Sequence, residues 1–438
     1  MNAGVTIFVF FVVFAVIYRG TVDRRVAVLS GAAVILAYGL AAGFFSLGMA
    51  LDSIYFETLA LIFGMSAISA ILARSGLFLL IATRTAAHSK GNGWWLLVIF
   101  SLVTYGLSLL INNLATMVVI LPVTLTVCKQ MEINPVPLLI AEIIASNLGG
   151  ASTMVGDFPN MIISSAGQLH FLDFIGGMMV PCLVLLAVTL GYFQWRRAEF
   201  DGAAETGPAG SGDPSGFLDP ATDPRLIKIG LSILGVVLVG FLFSDVTGLR
   251  PGWIALTAGV VAIILAGGDE GNDWFTACGG QDILFFAGLF VMVGGLVAAD
   301  ALDGILWLID WVSDGRDLPM MLALMWIAAF VTIFLNAGAA TAFFVPIASG
   351  IDASLADPTV WWALSLGVLA GSSAALTGAT AGPVAASHLD RFVEANPEMQ
   401  AFMPSGTRLD FKGYLRWGLP IMGLFLVVSS FYIIVVAR

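Results

Sequence analysis

The sequence predicts an all-α polytopic membrane protein made of two inverted repeats, on three observations: an apolar composition, recurring hydrophobic runs of helix length, and internal similarity. Of the 438 residues, 59% are hydrophobic and 11% charged, against roughly a quarter charged in an ordinary soluble domain. A soluble enzyme is excluded on that ground. Apolar runs of about 17 to 25 residues recur along nearly the whole chain, each long enough to cross a hydrocarbon core about 30 Å thick. Sliding the second half back by 224 positions places Asn336 on Asn112, Pro346 on Pro122 and Gly288 on Gly64, and an offset of 222 places Gly371 on Gly149 and Gly378 on Gly156. The chain therefore reads as a duplication.

Each element follows in order. The run Ala3 to Tyr18 lacks a basic segment before it and a small-residue cleavage pattern after it, so it is expected to stay as the first span rather than be removed as a leader. The first repeat occupies residues 1–195. Within it, 94–128 is apolar for too long to be one helix and is interrupted by Asn112 and Asn113, which predicts a re-entrant hairpin tipped by NNLAT. Residues 136–168 begin and end as a helix, but Gly149, Gly150, Gly156 and Pro159 predict unwinding in the middle. A Gly-, Pro- and Asp-rich linker at 196–225 divides the chain, and six acids of the net charge of -11 fall in it. The second repeat, 226–438, has a matching hairpin at 318–350 and a matching unwound helix at 360–390. With both hairpins re-entrant, about ten helices span the bilayer.

Basic residues set the orientation. With the hairpins re-entrant, only Arg250, Arg316 and Arg438 of the 18 Lys and Arg lie outside. The other fifteen are cytoplasmic, and the same assignment starts the first repeat outside and the second inside, hence inverted. One loop, 268–281, is assigned to the cytoplasm without a basic residue. No basic patch marks a nucleic-acid partner. Cys128, Cys182 and Cys278 are too scattered for a disulfide framework or a metal cluster and read as packing residues. No phosphate-binding lysine loop, zinc-ligand spacing or nucleophile elbow is present, so no cofactor is expected and the chain is not read as an enzyme.

Paired interrupted helices at matching places in two halves are where transporter sites form, because half-helix ends and freed backbone groups converge there. Asp157, just after a glycine in the first unwound stretch, is the leading candidate to bind Na⁺ or exchange a proton; capping the next half-helix is the alternative. Glu142 is either a second proton site or a carboxyl facing a polar neighbour. Oxygen ligands or hydrogen bonds are expected from Asn112, Asn113, Asn147, Ser152, Thr153 and Asn160 in the first repeat and from Asn336, Thr341, Ser372, Ser373 and Thr377 in the second, although hydroxyl residues also serve as packing glue between helices. Ala379 stands opposite Asp157 in the alignment, so carboxylate chemistry is one-sided. His88, His170 and His388 read as surface or packing residues.

The segments FETLALIFGM, NNLATMVVILPVTLTV, INPVPLLIAEIIASNLGGASTMVGDFPN and QDILFFAGLFVMVGGL resemble the ion transporter superfamily that joins arsenite permeases, NhaD-type sodium/proton antiporters and the P-permease group. The resemblance spans nearly the whole chain. It implies an elevator-type carrier of a small ion, H⁺ and Na⁺ foremost, coupled as cation antiport, embedded in the lipid bilayer and often dimeric. The stretches LARSGLF, VTLTVCKQ, IGGMM and RWGLPIMGLFL are similar to a branch in the magnetosome membrane, which implies pH or ion balance of that lumen during magnetite biomineralisation; otherwise the bacterial inner membrane is the expected location. An oxyanion or organic-anion carrier and a non-transporting scaffold for vesicle biomineralisation are the alternatives. The relatives' Asp-Asn at the first tip is Asn112-Asn113 here, the second tip is Asn336-Ala337, and a later Asn is Gly382, which leaves Asp157 and Glu142 to carry proton coupling.

The orientation is tested by single cysteines in an otherwise cysteine-free background. Ser211→Cys is expected to react with an impermeant maleimide only from the cytoplasmic side, and Arg316→Cys only from the other; the same side for both would remove the proposed inversion.

Overall fold

The computed structural model describes residues 2–89, 92–197, 222–267, 278–355, 358–401, 403 and 409–437. Most of the 196–225 linker, and most of the 268–281 loop, lie outside the described residues. Secondary structure among those described is helical throughout, because an uninterrupted apolar run in lipid must satisfy its own backbone hydrogen bonds. In chain order the main helices are α1 (Asn2–Arg19), α2 (Arg24–Ala42), α3 (Phe56–Arg74), α4 (Leu77–Ala86), α5 (Gly93–Ser108), α6 (Asn113–Gln130), α7 (Val136–Ala151), α8 (Phe158–Ala166) and α9 (Phe171–Trp195). Then come α10 (Pro224–Leu242), α11 (Pro251–Ala266), α12 (Gly280–Ala298), α13 (Asp303–Ser313), α14 (Asp317–Thr332), α15 (Ala337–Leu355), α16 (Thr359–Ala374), α17 (Gly382–Ala395) and α18 (Phe411–Val436).

Burial sorts these helices. Every residue of α7 and of α16 is buried, as expected for helices apolar on all sides at the centre of a bundle. Helices α1, α10 and α18 bury a third or less of their length in the protein and present the rest outward, a pattern suited to lipid contact. Among the described residues, eight helices are long and apolar enough to span a membrane. The central α7 and α16 are not: at 16 residues each and 1.5 Å per residue they reach about 24 Å. Each gives way to a break and a second, shorter helix.

Glycine allows the closest crossings. A Cβ at Gly64 on α3 would lie 2.1 Å from the Ala255 carbonyl oxygen of α11, and one at Gly371 on α16 would lie 2.2 Å from the Ala329 carbonyl oxygen of α14. Helix α3 thus packs on α11, and α2 packs on α12, so the two halves of the chain interleave. Among the ion pairs that join the halves at helix ends, Arg24 at the start of α2 pairs with Asp282 of α12, and Arg250 reaches Glu57 of α3 at 3.3 Å. Asp23 caps the first turn of α2. The side-chain and backbone donors of Arg25 hold its carboxyl far below the usual range.

Gly371→Ala is expected to destabilise the detergent-solubilised protein by about 1–3 kcal/mol, the usual penalty for overpacking, read as a fall in thermal midpoint. Gly106→Ala has no neighbour within 4 Å of the new Cβ and should leave the midpoint unchanged or slightly raised; equal effects would mean the close crossing does not limit stability.

Candidate functional site

Both breaks are built the same way. Helix α5 stops at Ser108, and Asn112 caps α6 by accepting the Ala115 N–H at 2.8 Å; Asn336 accepts the Ala339 N–H at 2.8 Å at the start of α15. The reversal therefore lies over Leu109–Asn112, and NLAT is already helical, because an asparagine cap starts the helix at the next residue. Helix α7 runs on through Gly149 and Gly150 and ends at Ala151; the chain is irregular only from Ser152 to Gly156, before α8 opens at Phe158 with Asp157 as its cap. The second irregular stretch, from Ala375, leads to α17 at Gly382.

Irregular backbone at this depth needs partners within the protein, and each helix pair supplies them to the neighbouring break. The Asn113 N–H donates to the Gly156 carbonyl at 3.1 Å, and the Ala337 N–H donates to the Gly378 carbonyl at 3.1 Å. The Thr153 hydroxyl donates to the Leu109 carbonyl at 2.8 Å and that of Thr377 to the Ile333 carbonyl at 3.4 Å. A Cβ at Gly156 would lie 2.3 Å from the Ser108 carbonyl oxygen, so only glycine lets this break sit against the end of α5.

Between the breaks is a cavity of about 10 Å³ lined by Asn147, Asp157, Asn160, Ala337, Ser365 and Ser372, among others. That is room for roughly one water molecule. Its walls come from both halves, stitched by hydrogen bonds. Asn160 donates to the Gly150 and Thr153 carbonyls, each at 3.1 Å, and accepts the Ser365 hydroxyl at 2.8 Å. Asn147 donates to the Ser372 carbonyl and hydroxyl at 3.5 Å and accepts from the Asn113 amide at 3.4 Å. Both amides are thus engaged at each end. Asp157 differs: one oxygen accepts the Phe158 N–H at 2.8 Å, and the other makes no hydrogen bond among the described residues. Asp157 is buried, 6% exposed, and lines the cavity. Gly150 leaves it space, since a Cβ there would come within 2.9 Å of the Asp157 Cβ.

Of the residues singled out from sequence, the structure thus gathers Asn147, Asp157, Asn160 and Ser372, with Asn113 one hydrogen bond away. Most of the rest serve the backbone. Asn112 and Asn336 cap helices, Thr153 and Thr377 bind the neighbouring helix ends, and Thr341 and Ser373 bond back along their own helices. Ser152 joins the Leu148 carbonyl and the Tyr105 hydroxyl, each at 2.8 Å. Glu142 stands five residues before Asn147, about 7.5 Å along the axis of α7, and does not line the cavity. Its Oε1 accepts the Thr124 hydroxyl at 2.6 Å and its Oε2 has no hydrogen-bond partner among the described residues. Sequence reasoning missed Ser365, whose position as a hydroxyl inside an otherwise apolar buried helix was the available cue. At another junction Lys129, at the end of α6, reaches Asn396 at 2.6 Å and Glu398 at 2.7 Å, and its ammonium holds the Glu398 carboxyl below the usual range.

A family profile described as Citrate transporter matches residues 8–367. Magnetosome protein MamN of Magnetospirillum gryphiswaldense is 49% identical, with all of each chain covered. Magnetosome protein MamN of Paramagnetospirillum magneticum is 48% identical over 98% of each. The crystal structure of the YdaH transporter of Alcanivorax borkumensis superposes with a TM-score of 0.58 over 91% of this chain and 88% of that one, at 15% identity, and so shares its fold.

Asn160→Ala strands two carbonyls and the Ser365 hydroxyl in a buried site, each such loss being worth about 1–3 kcal/mol. It should lower the thermal midpoint clearly more than Ser365→Ala, which leaves only the Asn160 oxygen without its partner. A smaller effect for Asn160→Ala than for Ser365→Ala would show that this amide does not hold the break together.

Proposed function

The chain belongs to the citrate transporter family, and on that premise we propose that it is a secondary transporter exchanging protons for a small cation, with Asp157 binding each in turn. It is a polytopic membrane protein and a transporter rather than an enzyme. The observation that carries the reading is the cavity at Asp157: one carboxylate with spare capacity, in a space of about 10 Å³, walled by helices of both halves. A cavity of that size suits a proton or a bare ion and excludes a tricarboxylate in this conformation. A carboxylate buried between helices is costly to maintain in a membrane, which favours a functional role.

The halves are proposed to lie in opposite orientations, supported by the distribution of basic residues and by the matching helix order of α1–α9 and α10–α18. In the elevator motion that fits this arrangement, α5–α8 and α14–α17 carry the ion against the remaining helices. Similarity along the full chain to two magnetosome proteins supports placement in that membrane, with pH or ion balance of the vesicle lumen during biomineralisation as the role. One observation favours a second reading, transport of an organic anion: the family is described by citrate, and α15 opens with its N-terminal residue, Ala337, on the cavity wall, where a helix start attracts negative charge.

Lumenal pH in proteoliposomes of purified protein, under imposed Na⁺, K⁺ and proton gradients, separates the two. Cation-dependent proton movement is expected in the wild type and its loss in Asp157→Asn, which keeps a good helix cap and should melt at the same temperature. Proton movement unchanged by Asp157→Asn would refute the coupling role, and citrate-driven flux without cation dependence would establish the second reading.

A further inference from the structure

On the outer face of the bundle, away from the central cavity, lies a groove of about 610 Å³. One wall is a stripe of α1 formed by Phe10, Phe11, Phe14, Ala15, Tyr18 and Arg19. The other is made by Ile305 of α13, Phe343 of α15, Phe411 at the start of α18, and residues 333–335 with Thr377 at the second pair of helix breaks. Apart from Tyr18, Arg19 and Thr377 the lining is apolar. At the end of α1 Arg19 is exposed and makes no ion pair among the described residues. Lys412, next to the lining Phe411, is likewise exposed and unpaired among them.

We propose that this groove is a binding site for an anionic phospholipid, one acyl chain lying along α1 and the headgroup phosphate held by Arg19 and Lys412. Three features select that occupant. The stripe from Phe10 to Arg19 covers ten residues, nine rises or about 13.5 Å of helix, close to the ~15 Å that one leaflet contributes to the hydrocarbon core. The cations stand at one end of the groove only, as a molecule with one charged end requires. Tyr18 beside Arg19 is the residue type that settles at the headgroup level of a bilayer. The inner end of the chain would rest against Ile333, Phe334 and Leu335, the turn into α15. The lipid therefore sits between an outer helix and the second break.

Native mass spectrometry of the full chain in detergent, titrated with phosphatidylglycerol or phosphatidylcholine, tests the site. The wild type is expected to retain phosphatidylglycerol in preference to phosphatidylcholine. Arg19→Gln should weaken phosphatidylglycerol about fivefold, the effect of one basic residue near an anionic surface. Ala15→Trp, which fills the groove, should lose one bound lipid, while Phe8→Trp, on the same helix outside the groove, should not. Equal retention of the two lipids, or Ala15→Trp retaining as many as the wild type, would overturn the proposal. So would Ala15→Trp splitting a dimer into monomers, since a second copy would then cover the groove; thermal midpoints matching the wild type exclude misfolding as the cause of any lipid loss.

Discussion

No water is at hand deep in a bilayer, so a helix that stops there must find partners for its loose backbone groups inside the protein. Most of this architecture answers that requirement. The first N–H of α6 and of α15 each goes to a glycine carbonyl in the facing break, at the same 3.1 Å. Threonine hydroxyls close the carbonyls left at the ends of α5 and α14. The close approach these bonds need is possible only because Gly149, Gly156 and Gly371 bear no side chain where neighbouring carbonyls pass. With the breaks held in this way, polar side chains next to them can be placed to within a hydrogen bond of each other, and the small cavity between the halves results.

The cavity is asymmetric although the helix order around it is not. Asn160 anchors the first break by three hydrogen bonds, while Gly382 stands at the corresponding place of the second and makes no side-chain bond. Asp157 caps α8, while α17 opens without a side-chain cap. The ionisable group and the amide that fixes its surroundings are therefore both in the first half, and the second half contributes hydroxyls and a helix end. With Asp157 as the proposed coupling residue, the chemistry is concentrated on one break and the other serves as its wall.

Composition made the helical membrane class legible, since no other structure buries so many consecutive apolar residues without water. Asparagine and glycine inside apolar runs marked the regions where helices stop, because each disfavours continuing the helix. The limits were less legible. Gly149 and Gly150 read as helix breakers, yet both are helical, because their missing side chains serve the contact with α5 and the seat of Asp157 rather than an unwound backbone. In the site, Asp157 stood out as a carboxyl just after a glycine, and Asn147, Asn160 and Ser372 as polar residues in the paired interrupted helices. The sequence could not tell a cap from a cavity wall: Asn112, Asn336 and Thr341 have the same chemistry as Asn147 and Ser372, and only the third dimension shows that Asn112 and Asn336 cap their helices and Thr341 bonds back along its own. Ser365 was hidden by its apolar neighbours.

The interleaving of α3 with α11 and of α2 with α12 bears on how the protein is made. A ribosome delivers α2 and α3 well before their partners exist, so the glycine face of α3 at Gly64 meets lipid first and is covered only after the polar stretch between the halves and two more helices have emerged. Neither half can reach its final packing as an independent intermediate. Truncation after the first half would leave a chain inserted yet unfinished, a natural substrate for membrane proteases, and quality control can act on it until α11 arrives.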